Sequence, residues 1–210
     1  GYITNFRIVK GTAVYTSSFT PPTAPLTAIT NTSLLCNFTN AGIYDGTGRN
    51  VLETVGNAQV DTAVAKYGTG SMQFDGTGDV LDIPVSPLYD FGTGNFTIEC
   101  WFYIGADPNS EKTMFELKTS NYNDSMIINI RNSYGIAAYL NSGSISTALT
   151  GHVSTMGPIG ALTSTDWTHL AIVRNGDTIN LYLNGTSQDS GSYSGQDFTN
   201  QTEIIIGGSN

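Results

Sequence analysis

Charge is what this 210-residue sequence has least of. Asp, Glu, Lys and Arg together make up 12% of it, about half the usual share. The eight bases (Arg7, Lys10, Arg49, Lys66, Lys112, Lys118, Arg131 and Arg174) are scattered, and 17 acids leave a net charge of −9. No basic stripe exists to neutralise phosphates, which excludes nucleic acid as a partner. Long apolar runs are missing too. None approaches the roughly 18 residues that span a bilayer, so membrane insertion is not expected. There are only two cysteines, Cys36 and Cys100, too few for a zinc site. No segment shows a convincing amphipathic helical period.

Glycine (24 residues), Thr, Ser and Asn stand where charge would otherwise be. Gly and Asn tolerate positive φ in tight turns, and Thr favours a pleated surface. Hydrophobic content of 39% is enough for one core. This composition is typical of extracellular β proteins. From Leu34 onward the pattern predicts strand after strand: 34–38, 72–75, 80–83, 95–104, 113–118, 125–131, 135–140, 145–149, 167–174, 178–184 and 203–207. Turn signals fall between them. The recurrent GTG triplets are followed by strands, so they read as turns and not as phosphate cradles. The expected fold is all-β, a two-sheet antiparallel jelly-roll sandwich.

Residues 2–9, YITNFRIV, alternate as a strand, and the stretch reads like the closing strand of a domain. Residues 17–33 are rich in Pro and Thr without periodicity and predict an extended linker. The runs GSMQFDGTGDVLDIP, FTIECWFYI, DWTHLAIVRNGDTINLYLNG and EIIIGGSN, in that order, resemble a laminin-G-like domain of the concanavalin A-like lectin/glucanase fold. In that family a strand similar to GYITNFRIVKGTAVYT normally follows the last run, whereas here it lies at residues 1–16. The resemblance therefore implies a closing strand displaced to the N-terminus. The expected organisation is a strand segment at 1–16 that completes a neighbouring sandwich, a linker at 17–33, and a sandwich at 34–210 lacking its last strand. A repeat within an array, strand exchange between subunits and closure of the chain on itself all fit this arrangement, and the first two are favoured. An open edge invites strand addition, and a head-to-tail contact builds filaments. Tyr2, Phe6 and Ile8 are the expected assembly residues, entering a neighbour's core while Asn5 and Arg7 face out.

The fold includes glucanases, which the resemblance implies carry several carboxylates on one strand facing a cleft. Acids at i, i+2 or i+4 would be required. No strand here has them: Glu99 stands with Thr97 and Trp101 as its same-face neighbours. His152 falls in a loop-like stretch, and His169 reads as a sheet-packing residue. The expectation is no catalytic residue and no enzyme. The cofactor the resemblance implies is calcium. Asp75, Asp79 and Asp82 form one candidate cluster, and Asn123 and Asp124 a second, although turn chemistry accounts for both. Thr4 stands where related domains often have an Asp, which weakens the structural calcium site. Cys36 and Cys100 lie in strand patterns, as two buried thiols or as one disulfide. Tyr122, Tyr134, Tyr139, Tyr193 and Trp101 are candidates for stacking on sugars. Glycosylation sequons occur at Asn31, Asn37, Asn95, Asn123, Asn184 and Asn200. The reading these observations favour is a non-enzymatic subunit or repeat of an extracellular fibre, on a cell or virion surface, partnered by copies of itself through strand complementation. The alternative is a calcium-dependent glycan-binding module of an adhesin.

Overall fold

The computed structural model describes all residues except 85, 106–110, 120–125, 132–134, 143–144, 152–165, 200 and 209–210. It is a sandwich of two antiparallel sheets. The eight-stranded sheet runs β14 (Thr186–Ser192), β13 (Thr178–Leu183), β12 (Thr168–Asn175), β7 (Phe96–Tyr103), β1 (Tyr2–Lys10), β5 (Ser71–Gln73), β4 (Gln59–Asp61), with β2 (Thr32–Cys36) also paired to β1. The seven-stranded sheet runs β11 (Ile145–Gly151), β10 (Gly135–Ser142), β9 (Met126–Arg131), β8 (Lys112–Thr119), β15 (Gln201–Ile206), β6 (Val80–Pro84), β3 (Glu53–Val55). Alternation drives both layers. Ile98, Cys100 and Phe102 of β7 face Leu117, Ile128 and Ile204 across one continuous core, while the residues between them point outward.

β1 lies inside its own sheet, contrary to the expected neighbouring sandwich. It pairs with β7 along one edge and with β2 and β5 along the other. Phe6 and Ile8 do enter a core, but it is this chain's own. The alternation also breaks. Between Thr4 and Arg7 the register against β7 shifts, and Asn5 has φ +51°. This bulge puts Ile3, not Tyr2, into the core. Tyr2 lies opposite Tyr103 on the outer side.

The expected linker is a strap laid across the outer face of the eight-stranded sheet. Gly11 N donates to Asn95 O (2.6 Å), Val14 N to Thr97 Oγ1 (2.9 Å) and Phe19 N to Gly185 O (2.8 Å). Tyr15 and Phe19 stack with ring centroids 3.6 Å apart and pack on Ala171, Val173 and Tyr182. Leu26 N donates to Asn5 Oδ1 at 2.7 Å. A chain rich in Pro cannot donate every amide to a ladder. It uses side-chain anchors instead.

Candidate functional site

At one end of the sandwich the register of β1 and β7 sets Tyr2 beside Tyr103, rings edge-on with centroids 5.7 Å apart. Trp167, just before β12, lies 5.7 Å from Tyr103 at a 47° tilt. All three rings are half-buried. Next to them opens a cavity of about 320 Å³ between the two sheets, lined by Tyr2, Tyr103, Asp75, Thr77, Lys112 and Thr113 over an apolar floor that includes Phe102 and Met114. Lys112 Nζ donates to Gly76 O at 3.2 Å. Tyr2 OH accepts from Gln73 Nε2 at 3.3 Å. Burial, then the nearby Asp61 carboxylate, pushes the Tyr2 hydroxyl above its ordinary pKa, so it stays a neutral donor at physiological pH. Aromatic faces beside an ammonium, a carboxylate and hydroxyls make a surface for an uncharged or acidic polyhydroxylated ligand.

Asp75, Asp79 and Asp82 do not come together as a calcium cluster. Asp75 Oδ1 accepts from Thr77 N (2.6 Å), and the buried Asp79 accepts from Asn57 N and Asp75 N (2.8 Å each). One oxygen of Asp75 and both oxygens of Asp79 are taken by turn amides. Asp82 lies in β6, opposite Glu53 and Ile205. Asn123 and Asp124 lie outside the described residues. Among the described residues no three His, Cys, Asp or Glu side chains converge on a metal position. The residues of the first cluster do not fit calcium.

Cys36 and Cys100 are buried free thiols, not a disulfide. β1 runs between their strands. Two strand spacings of about 4.8 Å each exceed the reach of a disulfide. Burial holds both thiols above their ordinary pKa, so they are inert. Among the sequons, the Asn31 and Asn184 side chains are exposed, Asn37 donates to Leu26 O, and Asn95 accepts from Gly176 N. Asn123 and Asn200 lie outside the described residues, as do Tyr122 and Tyr134. Trp101 and Tyr193 are buried, and Tyr139 donates to Glu111. Tyr2, Tyr103 and Trp167 form a cluster of half-buried rings that sequence reading did not bring together, because they come from separate strands.

Glu99 also has company that sequence alone does not show. It is fully buried under the strap, with Arg7 Nε donating to Oε1 (2.8 Å), Tyr15 OH to Oε2 (2.8 Å), and His169 Nε2 at 3.2 Å from Oε2. Burial alone would raise its pKa. The His169 hydrogen bond and the Arg7 and His169 charges outweigh that and hold it below the usual carboxylate range. Arg7 Nη1 continues to Thr27 O at 2.9 Å. Every atom of the carboxylate is occupied in pinning strap to sheet.

A laminin G family model described as the concanavalin A-like lectin/glucanases superfamily matches residues 75–210. No curated protein matches the chain. Among solved structures, it is similar to the receptor binding domain of botulinum neurotoxin C/D mosaic serotype (TM-score 0.66, 20% identity, 83% of this chain and 42% of that one). It is also similar to the serotype D ligand binding domain in complex with N-acetylneuraminic acid (TM-score 0.64, 18% identity, 83% and 42%). A third similar structure is the binding domain of botulinum neurotoxin DC in complex with rat synaptotagmin II (TM-score 0.59, 14% identity, 82% and 42%). This chain thus spans about two fifths of the length of those structures.

Proposed function

The chain belongs to the concanavalin A-like lectin/glucanases superfamily, and from that premise we propose that it is a non-enzymatic glycan-binding module acting outside the cell. The observation that carries this reading is the cavity at the end of the sandwich with Tyr2 and Tyr103 in its lining and Trp167 beside Tyr103. Sugars present axial C–H groups to aromatic faces and hydroxyls to polar groups at the edge. The rings supply the faces, and Asp75, Thr77 and Lys112 supply the edge. Lys112 adds a preference for sugars bearing a carboxylate, since a charge-assisted hydrogen bond is about twice as strong as a neutral one. The similarity to a domain solved with N-acetylneuraminic acid supports the same class of ligand. Low charge with abundant Thr, Ser and Asn supports the extracellular setting.

For fibre assembly by strand complementation a neighbouring copy's strand would have to displace β1, which is paired along both edges within this chain.

A glycan array followed by titration tests the proposal. The parent should bind an acidic glycan, and Tyr103→Ala or Trp167→Ala should weaken it tenfold or more, equivalent to about 1.4 kcal/mol. Tyr139→Ala, on the other sheet, should bind like the parent. A silent array, or a Tyr103→Ala protein that binds unchanged, overturns it.

A further inference from the structure

The cavity beside Tyr2 and Tyr103 has two chemistries at two depths. Asp75, Thr77 and Lys112 line it and are exposed, so they form its mouth. Ile3, Phe102 and Met114 line it too, but they are only 5%, 2% and 4% exposed, so they form its floor with the half-buried Ile130. Ile3 and Phe102 lie opposite each other across the β1–β7 ladder of one sheet. Met114 of β8 and Ile130 of β9 belong to the other. The floor is therefore the end of the core itself, reached from outside between the two sheets.

Two bulges build this floor. On β1 the register shift between Thr4 and Arg7 turns Ile3 inward. On β8 the register against β9 passes over Met114, since Thr113 lies opposite Asn129 and Phe115 opposite Ile128. Strict alternation would send Met114 to the outer face, away from Phe115 and Leu117. The bulge brings it into the same core as both.

The floor side chains carry no N–H, no O–H and no oxygen. A sugar ring pushed down among them would bury hydroxyls without partners, which is costly. At about 320 Å³ the cavity is also at the low end of the size range of ligand pockets, about 300–1,000 Å³. It has room for one substituent and not for an oligosaccharide. We propose that it is a subsite for the acyl group of an N-acylated acidic sugar, an inference that rests on the glycan-binding reading. The ring stays at the mouth against Tyr103, with its carboxylate toward Lys112. The acyl chain goes down to Met114 and Ile130, and Thr113, next to Met114, offers its hydroxyl to the linking amide. Met114 suits such a floor, because an unbranched thioether adapts to chains of different length. A free amine in place of the acyl group would bring a charge to an apolar surface and is disfavoured.

The test is calorimetric titration of the intact chain with methyl glycosides of neuraminic acid bearing a free amine or an N-acetyl, N-propanoyl, N-butanoyl or N-hexanoyl group. A hexuronic acid methyl glycoside serves as an acidic sugar without an acyl group. The free amine and the uronic acid should bind weakest, and affinity should rise about fourfold per added methylene from acetyl to butanoyl. Ile130→Ala deepens the floor and should make hexanoyl the best chain. Ile130→Phe fills it and should make acetyl the best. A merely structural Ile130 would change all the ligands alike. Should Ile130→Phe fail to fold, Ile130→Ala decides. A series that is flat or falls beyond acetyl, a uronic acid bound as tightly as the N-butanoyl sugar, or Ile130 variants that keep the parent's order overturn the subsite and leave glycan binding standing. Binding to none of these acidic sugars overturns the subsite and, with a silent glycan array, the glycan reading as well.

Discussion

Asn5 decides which way Tyr2 faces. Its φ of +51° lets β1 carry one extra residue against β7, and Asn is among the few side chains that accept this region at modest cost. Its Oδ1 also receives Leu26 N of the strap at 2.7 Å. Strict period-2 reading of YITNFRIV puts Tyr2, Phe6 and Ile8 on one face, and the bulge moves Tyr2 to the other. That is why Phe6 and Ile8 were legible as core residues and the binding role of Tyr2 was not. Asn5→Gly retains the backbone but loses the side-chain acceptor. Asn5→Val loses both and forces a β-branched residue into left-handed backbone, a cost of about 1–3 kcal/mol. Urea denaturation should therefore rank the parent above Asn5→Gly and Asn5→Gly above Asn5→Val. Equal stability for Val and Gly would show that the bulge tolerates ordinary backbone.

The strap was the element least legible in sequence. Pro-rich segments have no periodicity to reveal what they touch, and the anchors are Thr97, Glu99 and Gly185, distant in the chain. The central strands were legible because buried strands announce themselves by alternation. The three-residue strands β3 and β4 were not, since three residues are too few for a pattern, and the polar β14 was missed for want of apolar residues. Gly185 shows how closely the strap sits. At φ +76°, a Cβ there would lie 1.8 Å from Phe19 O. Gly185→Ala should lift the strap at Phe19 without touching the core. Hydrogen exchange should then speed up tenfold or more at Val14 and Phe19, while β15 amides such as Ile204 stay protected. Uniform acceleration across both sheets would mean that the strap has no independent opening and is part of the global fold.

At the scale of the whole molecule, the two outer faces carry carboxylates shifted in opposite directions, and stability must follow both. Glu99 under the strap is held below the usual range. A lowered folded pKa contributes stability that is present above the unfolded value, about 4.3, and lost as pH falls through the folded one. Glu116 and Glu203 on the opposite sheet are raised. They contribute stability that is complete below about pH 4.3 and lost as pH rises through their folded values. The net charge of −9 adds repulsion in the same direction toward neutrality. Unfolding free energy should therefore peak at mildly acidic pH and fall on both sides. Glu99→Gln leaves Arg7 buried without its carboxylate, so it should lower the whole curve by about 3 kcal/mol and flatten its acid limb. Glu203→Gln should flatten the neutral limb and leave the acid limb in place. Urea unfolding from pH 3 to pH 8 measures all three proteins. A parent curve that rises steadily to pH 8, or a Glu203→Gln curve parallel to it, would show that the carboxylates of the seven-stranded sheet are fully ionised at no cost.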